Sequence, residues 1–263
     1  MRMKILASVA LLLMLALAVT AGAQPPTQFL QVYRFNVKSG SQAQFVDFMT
    51  KIKEAADKTS APQGWLTAQA AAGTSGTSYF VALGFNKWGD MDLWNLVPDM
   101  LAQAFGEAEA AKILNAGGDS LWDFETTVYT LDAERSLNVD RSTEAPFYQL
   151  LIGQVKPDMV QEYQSVVGTL MKAQKEAGNQ QMWVRRTSTL GKSWQFYAAT
   201  PFSKWGDRDA ADADFWANVA KVVGNAEASR LQSRLQACYE SREIYVIRAI
   251  PALSRAAPSS SSN

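Results

Sequence analysis

No histidine occurs anywhere in these 263 residues. That absence excludes a histidine-based catalytic triad, an imidazole general base, a histidine-ligated haem and the usual zinc centres. Cys238 is the only cysteine. No internal disulfide can form, and any metal site would have to be built from oxygen ligands alone. Cys238 falls in "RLQACYES", late in a helical pattern, and reads as a buried, inert thiol. An excess of one charge is missing too: 25 basic residues face 25 acidic ones, and the pI is about 6.4. Without a basic surplus to displace counterions from a phosphate backbone, nucleic acid is not an expected partner. Gly-x-Ser-x-Gly, P-loop and Gly-x-Gly-x-x-Gly motifs are also lacking. No cofactor and no metal are expected.

One long apolar run exists, and it opens the chain: "MRMKILASVALLLMLALAVTAGAQ". Arg2 and Lys4 form a basic start, Ile5 to Val19 an apolar stretch, and Ala21-Gly22-Ala23 a small-residue cleavage motif before Gln24. The reading is a signal peptide over 1–23 and export to the bacterial periplasm or the medium. The run is short for a spanning helix, so no stable membrane span is expected after cleavage. Loss of Arg2 and Lys4 leaves 23 basic against 25 acidic residues, a net charge of −2. The rest is globular in composition, 48% hydrophobic and 19% charged, with ample material for a core.

What is present is a repeat. "FNKWGDMD" (85–92) and "FSKWGDRD" (202–209) are near copies, 117 residues apart. At an offset of 118, Phe29 falls on Phe147, Gln31 on Gln149, Trp65 on Trp183, Gly73 on Gly191, Gly106 on Gly224 and Glu125 on Glu243. A period of this length makes each copy a small domain and not a solenoid unit. The expected boundaries are 24–132 and 147–250, with a polar linker over 133–146 and a disordered Ser-rich tail over 251–263.

Both copies have the same element order. A strand ("FLQVYRFNV", "FYQLLIGQV") precedes a helix with capping-box spacing at Ser41/Gln44 or Asp158/Gln161. Phe45, Phe48, Met49 and Ile52 make an apolar stripe, matched by Tyr163, Val166, Val167 and Leu170. Two strands follow, then a second helix near 98–115 or 215–236, then a last strand. The fold class is therefore α+β: two βαββαβ, ferredoxin-like repeats, each an antiparallel sheet with helices on one face. The second copy can cover the bare face of the first.

In element order and repeat length the chain resembles the dimeric α/β-barrel superfamily, with the dimer fused into one polypeptide. The resemblance covers nearly all of the chain after residue 24. It implies that the two sheets join into a pseudo-dimeric α/β barrel, and a monomer with an internal pseudo-two-fold. Haem-using members rely on a histidine ligand, so that branch is disfavoured; no individual family is assigned.

Candidate site residues come from the strands and the repeated motif. Alternation places Leu30, Val32, Leu150 and Ile152 on the helix-packed face, and Gln31, Tyr33, Phe35 and Gln149 toward the barrel interior. Trp65 and Trp183 are expected at the ring or rim, and Tyr129 on the face of Glu125. Trp88 and Trp205 plug the sheet–helix junction or contact a ligand at the barrel mouth; the neighbouring aspartates can cap the next helix. Arg185 is one of an Arg pair absent from the first copy and suits an anionic ligand or a carboxylate partner. Glu125 and Glu243 are the only acid–base candidates, and they are weak ones. After duplication, one half is free to keep a pocket while the other fills in.

Three functions remain open: binding of a small apolar or aromatic molecule, cofactor-independent monooxygenase-like chemistry, and an extracytoplasmic interaction module. The first two differ in whether a titratable group adjoins the ligand. The third requires a filled barrel and an exposed apolar patch.

Overall fold

A computed structural model describes residues 27–93, 97–139 and 145–257. The expected signal peptide lies outside the described residues, as do 140–144 of the expected linker and 258–263 of the expected tail. The first half runs β1 (Phe29–Val37), α1 (Gln42–Lys58), β2 (Leu66–Ala72), β3 (Thr77–Phe85), a 3-10 turn (Trp88–Leu93), α2 (Val97–Phe105), α3 (Glu107–Asp119) and β4 (Leu121–Leu131). The second half runs β5 (Phe147–Val155), a 3-10 turn (Pro157–Met159), α4 (Val160–Glu176), β6 (Val184–Leu190), β7 (Gln195–Phe202), α5 (Gly206–Val223), α6 (Asn225–Cys238) and β8 (Tyr239–Ala249).

All eight strands form one closed antiparallel barrel, ordered β1-β3-β2-β8-β5-β7-β6-β4. Within each half the last strand pairs with the first, as a split βαβ requires. The halves join at two seams, β2 with β8 and β4 with β6. Closure leaves neither sheet with the free edges that would invite pairing elsewhere along those seams.

The second helix of each half is broken in two. The break falls at Gly106 and Gly224, whose backbones adopt φ 85 and 86 with ψ 153 and 155. That region suits glycine alone, and it ends one helix while the Gly carbonyl opens the next, accepting from Ala110 N or Ala228 N. The expected capping boxes do not form. Ser41 stands at the N-cap without a side-chain cap bond, and Gln44 reaches the Ala116 carbonyl instead. In the second half a 3-10 turn precedes the helix, whose N-cap is Met159.

The strand faces are the reverse of the expectation. Val32, Ala68, Phe80, Tyr129, Leu150, Tyr197, Tyr245 and Ile247 form one buried cluster, with Leu30 and Ile152 packed against it. Seven strands from both halves contribute to it, and only the barrel lumen brings them together. Tyr33 and Phe35 instead pack with Phe45 and Met49 under α1. In β1 and β3 both faces carry apolar side chains, one in the lumen and one beneath helices. Alternation separates the two faces but does not say which is which. The lumen is therefore a packed core. Tyr129 donates to Gln195 Oε1 (2.6 Å), and the Arg34 guanidinium lies 5.0 Å from the Tyr245 ring centre.

The described parts of the linker and the tail are packed into the fold, the tail in contrast to the disorder expected of it. Residues after β4 cross to the second half, where Leu137 pairs with Trp183. Residues after β8 cross to the first half, where Arg255 pairs with Trp65. Leu137 and Leu253 are buried, and the Ser136 and Ser254 hydroxyls accept from the amides of Arg185 and Thr67 (both 2.9 Å). The two segments are pseudo-symmetric straps that exchange between halves. Described residues 251–257 are thus part of the fold.

Candidate functional site

A cavity of about 520 Å³ lies outside the barrel, between the first half's sheet and its helices. Tyr33 and Phe35 of β1 and Val81 and Leu83 of β3 form its floor. The stripe on α1 supplies Phe48, Met49 and Ile52; Val97 and Met100 of α2 close the opposite side. Trp65 and the loop 59–63 make the rim. The volume is in the range of small-molecule sites, and the lining is mostly apolar and aromatic. Tyr33 and Phe35 stack along the floor, centroids 5.9 Å apart and planes 6° apart.

Polar groups are few. The Tyr33 hydroxyl accepts a hydrogen bond from Gln31 Nε2 (2.8 Å), and the Gln31 Oε1 is buried with no partner among the described residues. Burial pushes the Tyr33 phenol above its ordinary pKa, so it stays a neutral hydroxyl. Asp99 is the one carboxylate on the wall among the described residues.

A recess of about 20 Å³ in the second half borders Gln149, Gln181, Trp183 and Asp207, but the position that matches the cavity is packed with side chains. Two replacements account for this. Val97 corresponds to Phe215, which stacks flat on Trp183 (4.7 Å, 7°). Ala56, on the wall of the open cavity, corresponds to Gln174, which is fully buried and donates to the Phe215 carbonyl (2.7 Å). The loop geometry is otherwise kept, with positive φ at Ser60 (52) and at Gly178 (70).

The residues singled out from sequence fall in several places. Tyr33 and Trp65 line the cavity, with Gln31 behind Tyr33. Gln149 and Trp183 border the small recess. Tyr129 is in the lumen. Arg185 lies under α4, where its guanidinium donates to the Tyr163 hydroxyl (2.6 Å) and sits 5.2 Å from that ring's centre. It has neither a carboxylate in hydrogen-bond contact nor a cavity beside it among the described residues.

Glu125 and Glu243 sit well exposed on the barrel strands and outside the cavity lining, paired with Lys192 (3.1 Å) and Arg34 (3.5 Å). Trp88 rests against Phe29 and Phe85, and Trp205 against Phe147 and Phe202. Each Trp is partly exposed and outside the cavity. The recurring aspartates, Asp90 and Asp207, do not bond forward into the next helix. Their carboxylates reach back to the amides three and four residues earlier, the reverse arm of a capping box. Separately, Trp122 and Phe124 are 74% and 60% exposed on β4.

Sequence reasoning missed Phe48, Ile52, Val97 and Met100 as site residues. The signal that finds them is the half-to-half comparison at Ala56/Gln174 and Val97/Phe215, where a small residue faces a large one.

No protein-family model matches this sequence, and no curated protein matches it. Solved structures do. An anthrone oxidase-like protein superposes with a TM-score of 0.54 at 12% identity, covering 85% of this chain and 92% of its own. A candidate monooxygenase from Lactobacillus acidophilus (TM-score 0.48, 10% identity, 84% and 93% covered) is also similar. So is a haem-binding protein from Thermus thermophilus (0.47, 11%, 87% and 95%). Identities this low speak to fold and not to activity. The chain has the dimeric α/β-barrel fold, with both halves of the pseudo-dimer carried by one polypeptide.

Proposed function

We propose that this protein binds one small, largely apolar and aromatic molecule in the first-half cavity. The observation that carries the reading is the asymmetry: of two pseudo-equivalent positions, one is filled by Phe215 and Gln174, and the other is left open at about 520 Å³. A void of that size costs packing energy unless something occupies it. The aromatic floor favours a flat ligand, and the Tyr33 hydroxyl offers one directional contact.

Titration with the neutral fluorescent probe N-phenyl-1-naphthylamine tests this. Saturable binding at one site is expected, and Val97→Phe, which supplies the second half's ring, should abolish it. A flat response of the unaltered protein removes the reading.

A second reading is cofactor-free oxidation of an anthrone-like aromatic. It is favoured by the neutral Tyr33 hydroxyl on the cavity wall, which can donate to a substrate oxygen, and by the fold shared with the anthrone oxidase-like protein. Oxygen uptake with anthrone, lost in Tyr33→Phe, supports it; no uptake by the unaltered protein ends it. Export by the N-terminal segment and a monomeric state belong to the same proposal. Fractionation of expressing cells and light scattering of the purified chain test them.

A further inference from the structure

The cavity rim is not held by the first half alone. Its loop 59–63 and the end of α1 are gripped by Arg255, on the strap that follows β8 of the second half. Arg255 Nε donates to Asp57 Oδ1 (2.7 Å) and one terminal nitrogen to the Ala61 carbonyl (2.7 Å). That nitrogen also reaches the Gln63 carbonyl, and the other terminal nitrogen reaches Ala56 O (3.4 Å). Ala56, Ala61 and Gln63 all line the cavity.

The strap is docked along its length. Trp65 Nε1 donates to the Leu253 carbonyl (2.8 Å), and the Trp65 and Arg255 backbones exchange two hydrogen bonds (2.8 and 2.9 Å). Gly64 lies so close to the strap that a Cβ there would sit 2.3 Å from Ala257 N.

The second half provides a comparison. There Leu137 takes the Arg255 position, and Asn138 Nδ2 donates to the Asn179 and Gln181 carbonyls (both 2.9 Å). These carbonyls correspond to Ala61 and Gln63. A donor for this loop is thus a requirement of the fold in both halves. Only in the half with a cavity is it a guanidinium that also reaches the helix. A planar fork makes several fixed hydrogen bonds at once, which an amide cannot.

We propose that Arg255 is a positioning residue of the ligand site, and that strap docking and cavity occupancy are coupled. This rests on the ligand-binding reading above. By linkage, whatever the strap adds to ligand affinity, the ligand returns as strap protection.

The test compares N-phenyl-1-naphthylamine affinity in the unaltered protein, Arg255→Ala, Arg255→Lys and Asn138→Ala. Hydrogen exchange at Trp65 and in the segment 250–257 of the unaltered protein, with and without the probe, is measured alongside. Affinity should fall about tenfold in Arg255→Ala and recover in part in Arg255→Lys, which keeps the charge but not the fork. Asn138→Ala removes the matching clamp in the half where side chains fill the cavity's counterpart, so it should lower the melting temperature and leave affinity within about twofold. The probe should slow exchange at the Arg255 and Trp65 amides. Equal affinity in Arg255→Ala and the unaltered protein overturns the proposal, as does exchange that the probe leaves unchanged. If Arg255→Ala does not fold, the exchange measurement alone decides. Failure of the unaltered protein to bind the probe takes down the ligand-binding reading, and this coupling with it. Probe binding without coupling takes down only the latter.

Discussion

Trp183 lies flat on Phe215, ring centres 4.7 Å apart and planes within 7°. Its counterpart Trp65 faces open space, because Val97 stands where Phe215 would be. Phe215, together with the buried Gln174 that donates to its carbonyl, therefore separates the filled half from the hollow one. Phe215→Ala should cost about 3–5 kcal/mol, the usual cost of deleting a core aromatic. It should also raise probe stoichiometry from one site toward two. The reciprocal Val97→Phe should abolish binding and leave the melting temperature unchanged or higher, since it fills a void without overpacking. Urea unfolding and probe titration on the two variants check both expectations. A Val97→Phe protein that still binds would place the ligand elsewhere.

Gln31 and Tyr33 lie on the same face of β1, two residues apart, joined by one hydrogen bond. Only one end of the Gln31 amide is paired among the described residues. Removing the phenol hydroxyl leaves a buried amide without that bond, a loss of about 1–3 kcal/mol. Tyr33→Phe should therefore destabilise the protein measurably in urea. Replacing both partners, as Gln31→Leu with Tyr33→Phe, should recover most of the loss, because no polar group is then stranded. A double variant no more stable than Tyr33→Phe alone would show that the pair is not coupled.

The architecture could be read before the structure because the repeat spelled it out twice. Phe29/Phe147, Trp65/Trp183 and the two Lys-Trp-Gly-Asp turns fix element order and copy length. The faces could not be read, because Val32 and Tyr33 are both apolar-bodied neighbours and each side of the sheet is buried. The straps were illegible for a different reason. Among the described residues of those short segments only Leu137 and Leu253 are buried apolar anchors, and one residue sets no period. A cavity is a lack of atoms, so it leaves no motif. It shows only as a volume difference between copies, at Ala56 against Gln174 and Val97 against Phe215.

Glu125 and Glu243 attract attention as a recurring pair of carboxylates, but their setting argues against chemistry. Their side chains are 51% and 54% exposed, and neither borders the cavity. Exposed pairs of this kind contribute about 0–1 kcal/mol. Glu125→Gln and Glu243→Gln should leave probe affinity unchanged and move the urea midpoint only slightly. A tenfold loss of affinity in either variant would link the barrel strands to the site in a way the geometry does not suggest.

The packed lumen makes a distinct claim about alkaline pH. Burial pushes the Tyr129, Tyr197 and Tyr245 phenols of the lumen, and that of Tyr239 beneath α4, well above their ordinary value, with the Glu243 bond adding to the effect at Tyr245. The native state keeps protons that the unfolded chain releases above about pH 10. Stability from these groups is therefore complete below pH 10 and falls as pH rises, by about 1.4 kcal/mol per unit for each tyrosine. Arg186 opposes them. Buried and donating to the Thr27 and Gln28 carbonyls, it is pulled down to about 10. Above that pH the unfolded chain binds the extra proton, so this residue favours the fold as pH rises. The raised phenols outnumber the one lowered arginine, so the net effect above about pH 10 is a loss of stability. Urea midpoints at pH 9, 10 and 11 should be flat at first and then drop steeply, with phenolate absorbance at 295 nm from the buried tyrosines appearing only as the protein unfolds. Arg186→Met should steepen the fall by about 1.4 kcal/mol per unit. Ionisation of Tyr129, Tyr197 or Tyr245 near pH 10 in a still-folded protein would mean that the lumen is wet and not a packed core.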